Sequence, residues 1–262
     1  MKILVFHRAA GFVHQSIPHA VLAIEELSNR HNFECVSTDD AAMFTGEHLA
    51  GFDALVFLQT SGDVLPEDSQ RAALEQYINN GGGYFGIHAA SSIGGYTTEW
   101  PWYRQLIGAA FTGHTAAVVY GPTPIPTSSG ARYGGTIADA PPDAESISEA
   151  VAMVTWQNAT VLVEDSTCLA THGLATASTR SDEWYGFDAN PRENVNVVAT
   201  VDESTYDPGP GMMGADHPII WWHNFAGGRS VYNAMGHCAA TWHDPAFLDS
   251  VMGGITLAAT RR

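Results

Sequence analysis

Three short runs of this chain, Lys2–Phe6, Ala54–Leu58 and Tyr84–Ile87, are almost wholly apolar, and helical periodicity lies between them. A strand that reads apolar on both faces must be covered on both faces, which is the mark of a central strand in a parallel sheet. Between the runs, Ile17, Ala20, Val21, Ile24 and Leu27 recur at helical spacing over Ser16–Arg30. A further strand is expected at Phe33–Ser37. A helix opening at Pro66 presents Ala73, Leu74, Tyr77 and Ile78 on one face, has Glu67 and Asp68 at its favourable end, and stops at Gly81–Gly83. Repeated βα units of this kind close only as a parallel sheet with right-handed crossovers and helices on both faces.

Sheets of that class bind ligands beyond the carboxyl ends of their strands. Three such ends are expected to face one crevice: His7 with Gly11-Phe12-Val13-His14, Gln59-Thr60-Ser61-Gly62, and His88. The sharpest is Gly81-Gly82-Gly83-Tyr84-Phe85-Gly86-Ile87-His88-Ala89-Ala90. There a buried strand drives into a tight turn of the type that exposes a nucleophile above a sheet. The residue at its tip is histidine, not serine or cysteine.

The second half holds strand-like segments at Thr160–Val163, Glu183–Phe187, Val195–Val201, Ile219–Trp222 and Ser230–Ala234, with a turn at Ala226-Gly227-Gly228 and a closing helix over Pro245–Ala259. Hairpins imply antiparallel strands added to the parallel set. A Pro- and Gly-rich stretch, about 120–157, reads as a loop-like insertion that serves as a lid, an oligomer contact or a passive insertion. No composition shift marks a second domain, so residues 1–262 are expected to form one.

With 28 acidic against 11 basic residues the formal charge is −17, a surface that repels nucleic acid and anionic membranes. No apolar segment approaches the roughly 20 residues needed to span a bilayer. Three cysteines, Cys35, Cys168 and Cys238, have no metal-type spacing and do not suggest a disulfide framework, which fits the cytoplasm. A homo-oligomer is compatible with the sequence.

Histidine carries the chemistry: there are 12, several at strand ends. His88 and His237 are placed to act as general acid or base, since imidazole titrates near neutral pH. His14 precedes a helix N-terminus, where free N–H groups favour negative charge on a ligand. His114 follows Gly113, which is expected to turn the backbone sharply. In Asp182-Glu183-Trp184-Tyr185 strand alternation lets only one carboxylate enter a pocket, and Glu183 is favoured, with Tyr185 on its face. A buried Glu183 near aromatics would hold its proton tightly and act as a general acid, or would pair with Arg192. Trp100 and Trp102, flanking Pro101, are candidates to stack on a sugar ring. His14, His88, His114, His237 and Glu183 also supply the N and O ligands that a divalent metal such as Zn²⁺ requires, provided they converge; a metal-free acid–base pocket is the alternative.

Several motifs together carry a resemblance. They are Phe12-Val13-His14, Gly82 to Ala90, Trp100-Pro101-Trp102-Tyr103, Gly113-His114, Asp182-Glu183-Trp184-Tyr185, Asn190-Pro191-Arg192, Asp216-His217-Pro218-Ile219 and Gly236-His237. In this order the chain resembles the ThuA-like, or trehalose-utilisation, family, over nearly its whole length except 120–157. The resemblance implies a three-layer α/β/α, flavodoxin-like fold similar to class I glutamine amidotransferases. It also implies a role in the metabolism of trehalose and related disaccharides oxidised to keto-sugars. Amidotransferases carry a cysteine at the elbow and a late histidine followed two residues on by a carboxylate. Here those positions hold His88, His237 and Ala239, which rules out glutamine hydrolysis by that route.

Two functions follow. In the first, His88, His237 and Glu183 move protons on a keto-sugar or keto-disaccharide, with or without metal assistance, while His14, His114, Trp100, Trp102 and Tyr185 bind it; isomerase, lyase and hydrolase outcomes are open. In the second, the same scaffold binds carbohydrate without turnover and regulates.

Overall fold

A computed structural model describes residues 1–93, 100–120 and 153–260. The strands are β1 (Lys2–Phe6), β2 (Glu34–Thr38), β3 (Ala54–Leu58), β4 (Ser61–Gly62), β5 (Gly83–Ile87), β6 (Ser92–Ile93), β7 (Phe111–His114), β8 (Val118–Tyr120), β9 (Met153–Thr155), β10 (Asn158–Val163), β11 (Ala177–Ser181), β12 (Tyr185–Phe187), β13 (Asn196–Asp202), β14 (Pro218–Phe225) and β15 (Gly228–Asn233). The helices are α1 (Ile17–His31), α2 (Gly46–Leu49), α3 (Asp68–Asn79), α4 (Pro101–Ile107) and α5 (Pro245–Ala259).

Nine strands form one sheet in the order β11-β10-β13-β14-β15-β5-β3-β1-β2. From β15 to β2 neighbours run parallel. From β15 outward to β11 they run antiparallel. The period-2 pleat divides each apolar run between two cores. Ile3 and Val5 of β1 pack with α1 and α5 on one face, whereas Leu4 and Phe6 pack with α3 and α4 on the other. This is the three-layer α/β/α arrangement of a flavodoxin-like fold. Among the described residues no helix is long and apolar enough to cross a membrane.

Two elements depart from the sequence expectation. β11 reads Ala-Ser-Thr-Arg-Ser and carries no apolar pattern, because it is an edge strand with alternate residues exposed. The strand expected at Glu183–Phe187 begins only at Tyr185, so residues 182–184 precede the ladder and do not alternate. Of the expected insertion, residues 121–152 lie outside the described residues. Its two ends meet in an antiparallel ribbon, Val118–Tyr120 against Met153–Thr155.

Candidate functional site

The site lies beyond the carboxyl ends of β1, β3, β5 and β15. β5 ends at His88, whose φ of +52° places it in the left-handed region. For a residue with a Cβ this conformation costs about 1–2 kcal/mol, and the surroundings hold it. The His88 backbone carbonyl accepts from the Tyr232 hydroxyl at 2.7 Å. Its Nδ1–H donates to the Ala234 carbonyl at 2.7 Å. That bond orients the ring and turns Nε2 toward Glu183 Oε2, 3.2 Å away.

After β15 the chain passes Gly236, at φ +121°, a value open to glycine. It then presents His237. The buried Asp182 carboxylate holds this turn, accepting from the N–H of Gly236 at 2.8 Å and of His237 at 3.0 Å. Gln59, also at positive φ, donates from Nε2 to the Gly236 carbonyl and lies 3.0 Å from Ser16 Oγ. It thereby links the end of β3 to the loop carrying His14. Ser61 Oγ donates to the Phe12 carbonyl at 2.6 Å, securing that loop from the same side.

These supports converge on Glu183. Its Oε2 lies 3.2 Å from His88 Nε2 and 3.0 Å from His237 Nδ1, and its Oε1 lies 3.2 Å from His114 Nδ1. The His14 ring stands edge-on to His88 and His237, with centroids 4.9 and 5.1 Å away, and its Nδ1 is buried without a hydrogen-bond partner among the described residues. One donor atom each from His14, His88, Glu183 and His237 fall within 4.8 Å of one another, a set able to hold a metal ion. Tyr185 packs its ring 4.1 Å from that of His88. His88 is fully buried, whereas the His237 and His114 side chains retain 10% and 13% exposure. The side of the cluster open to solvent is therefore that of His237 and His114.

The electrostatics reverse one expectation. Burial raises the Glu183 pKa, but the charge and hydrogen bond of His237, and then those of His88, outweigh it and hold the carboxyl well below its usual range. Glu183 is an ionised acceptor, not a protonated acid. His237 shows the complementary effect: burial lowers its pKa, yet the Glu183 charge and hydrogen bond and the Asp182 charge leave it raised. Burial, then the charges of His88 and His237, hold His14 well below the ordinary imidazole value. The Cys238 thiol pKa is pushed up by burial, then by Asp182 and Glu183, which disfavours the thiolate.

Other expected residues sit differently. Gly113 makes no sharp turn; it lies within β7 opposite Gly186, where a Cβ would come within 3.0 Å of the Pro210 carbonyl oxygen. Arg192 pairs with Glu164 and Asp216 and not with Glu183. Trp100 and Trp102 do not join the histidines. Trp100 caps α4, donates to Glu75 at 2.9 Å and lies in the second core, and Trp102 packs on Trp100 and Phe225. Among the described residues, the tryptophan against the cluster is Trp156, 4.5 Å from the His237 ring and 5.9 Å from the His114 ring. It lies within the insertion-like stretch at about 120–157. Strand alternation would turn Asp182 away from a pocket that admits Glu183, but residues 182–184 precede the ladder and both carboxylates reach the site. His217 is a support: its nitrogens bridge the Tyr185 carbonyl and the Glu203 carboxylate, both at 2.8 Å.

The trehalose-utilisation family model, ThuA, matches residues 2–258. The chain belongs to the ThuA family. The fold is similar to that of a protein from Bacteroides uniformis described as ThuA-like, with TM-score 0.69 and 20% identity over 97% of this chain and 89% of that one. A second ThuA-like protein, from Parabacteroides merdae, gives TM-score 0.65 and 15% identity over 99% and 90%. A β-galactosidase from Bacillus circulans gives TM-score 0.53 and 12% identity, covering 98% of this chain and 30% of its own. At these identities the likeness is one of fold. No curated protein matches the chain in sequence. Membership of the ThuA family supports a role in carbohydrate metabolism.

Proposed function

We propose that this ThuA protein acts on a keto-sugar or keto-disaccharide by acid–base chemistry at Glu183, His237 and His88. The observation that carries the reading is a buried carboxylate touched by three imidazoles from separate elements, at 3.0–3.2 Å. A ketone acidifies the C–H on the neighbouring carbon. A carboxylate whose proton affinity is low in the resting site becomes an effective base once the substrate displaces water and its imidazole partners turn to the substrate. His237, with its raised proton affinity, is the complementary acid for the developing enolate oxygen. The enediol formed is reprotonated at the adjacent carbon, giving isomerisation, or expels a glycosidic group at the next carbon, giving elimination. Trp156 offers a flat apolar face to the sugar beside His237.

The experiment is to incubate the protein with a keto-disaccharide in D₂O and follow loss of the C–H signal next to the ketone by NMR. Exchange or conversion in the parent, reduced at least about 100-fold in Glu183→Gln, is the expected result. Saturable sugar binding with no exchange would replace this reading by a non-catalytic one, and absence of both would remove it.

A further inference from the structure

We propose that His14, His88, Glu183 and His237 form a binding site for one divalent transition-metal ion of the Zn²⁺ class. The donors come from the loop after β1, the tip of β5, the segment before β12 and the turn after β15, so the fold itself assembles them.

Three of the donor atoms make a nearly regular triangle. His88 Nε2 to His237 Nδ1 is 3.2 Å, His88 Nε2 to Glu183 Oε2 is 3.2 Å and His237 Nδ1 to Glu183 Oε2 is 3.0 Å. An ion about 2.1 Å from each donor separates tetrahedral ligands by about 3.4 Å and adjacent octahedral ligands by about 3.0 Å. The triangle already has the dimensions of one face of such a polyhedron. The fourth donor, on His14, lies within 4.8 Å of the others, so a small side-chain rotation completes the set.

The contacts themselves point the same way. His88 Nε2, His237 Nδ1 and Glu183 Oε2 lie 3.0–3.2 Å from one another, and the buried Nδ1 of His14 has no hydrogen-bond partner among the described residues. A cation among them would take a lone pair from each of the four residues.

The surroundings are those of a supported site. The Ala234 carbonyl orients His88, and Asp182 fixes the backbone of His237. The Tyr185 hydroxyl donates to Glu183, and His114 Nδ1 lies 3.2 Å from Glu183 Oε1. Three imidazoles and one carboxylate favour Zn²⁺, Co²⁺, Ni²⁺, Fe²⁺ or Mn²⁺ over Ca²⁺ and Mg²⁺, which prefer oxygen. The partly exposed side, toward His114 and Trp156, is where an exchangeable position would face. For the chemistry the proposal rests on the keto-sugar reading above and deepens it: with an ion bound, His88, Glu183 and His237 serve as its ligands, and the proton transfers assigned to them pass to a group outside the four donors. An ion here would polarise a ketone oxygen. His114, outside the four donors, donates Nδ1–H to the Thr115 carbonyl at 2.7 Å and keeps Nε2 available to move a proton.

The test uses the full chain, stripped by chelator and titrated with Zn²⁺ and Co²⁺ without any sugar, so that its outcome is independent of the substrate. One ion per chain is expected, with visible Co²⁺ bands of a nitrogen-rich site. Affinity should fall at least about 100-fold in His88→Asn and in Glu183→Gln. Replacing the surface pair His19 and His243 by Ala should leave stoichiometry unchanged. Variants are compared only where circular dichroism shows the parent fold. X-ray absorption of the loaded parent, which needs no variant, should show mainly nitrogen neighbours. Absence of saturable binding by the folded parent, binding unaltered in His88→Asn and Glu183→Gln, or an all-oxygen shell would overturn the proposal. Should the metal-free protein still exchange the keto-sugar proton, the acid–base reading stands and these binding data alone decide the metal site.

Discussion

Asp182 holds the backbone of His237, a residue 55 positions further along the chain, by accepting from its N–H at 3.0 Å while its second oxygen takes the Gly236 N–H at 2.8 Å. The next residue is Glu183, which touches the His237 ring at 3.0 Å. One short segment therefore sets both the position of His237 and the charge opposite it. The position two residues after His237 is Ala239, so the carboxylate that holds this turn comes from Asp182, on a different strand connection.

Replacing Asp182 by Asn would turn one acceptor into a donor aimed at a backbone N–H. Bonds to a charged acceptor are worth about 1.5–3 kcal/mol each. Loss of about 2–3 kcal/mol is expected, measured as a fall in Tm of roughly 5–10 °C for a chain of this size. Turnover of a keto-sugar should fall about 100-fold, since misplacing a catalytic group by an ångström has that effect. An Asp182→Asn protein with parental Tm and activity would show that the turn holds itself.

The left-handed conformation of His88 gives a second test that needs no substrate. Glycine adopts φ near +52° without strain, whereas alanine does not. His88→Gly should therefore be more stable than His88→Ala by about 1 kcal/mol in urea unfolding, the reverse of the order in an ordinary strand or helix. Equal stabilities, or a more stable alanine variant, would mean that the elbow relaxes once the imidazole is gone.

The parallel half of the sheet was legible because strands buried on both faces must be apolar throughout, as β1 and β3 are. β11 was not, since an edge strand needs no such pattern. At the site, the strand-end rule drew attention to His88 and His237, and glycines before the rings supported it. What the chain order could not disclose was partnership through space. Burial of Glu183 suggests a tightly held proton, and only the imidazoles folded around it reverse that sign. Trp100 and Trp102 look like loop aromatics until Pro101 is seen to open α4.

Trp156 makes a prediction about binding as opposed to chemistry. Its ring lies 4.5 Å from that of His237 but makes no hydrogen bond to the cluster among the described residues. If it stacks on the sugar, Trp156→Ala removes an aromatic contact of about 0.5–1.5 kcal/mol. KM should rise roughly 2- to 12-fold while kcat changes less than about 2-fold. A fall in kcat at constant KM would instead make Trp156 a brace for His237.

The last prediction concerns pH and a histidine remote from the cluster. His223 is buried on β14 with its Nε2–H donating to the Gln105 carbonyl at 3.1 Å, and its Nδ1 has no partner among the described residues. Burial lowers its pKa below the ordinary 6.5, against a smaller upward pull from the Gln105 carbonyl. The unfolded chain thus takes up a proton near pH 6.5 that the folded chain refuses. The stabilisation from keeping His223 neutral is complete above about pH 6.5 and is lost as pH falls from there toward the depressed folded value. Glutamine at this position keeps a donor for Gln105 and does not titrate. Across pH 7.5 to 5, the Tm of His223→Gln should fall less steeply than that of the parent, the two curves drawing together toward the acid end. Parallel curves over that range would show that His223 is solvated and protonates in place.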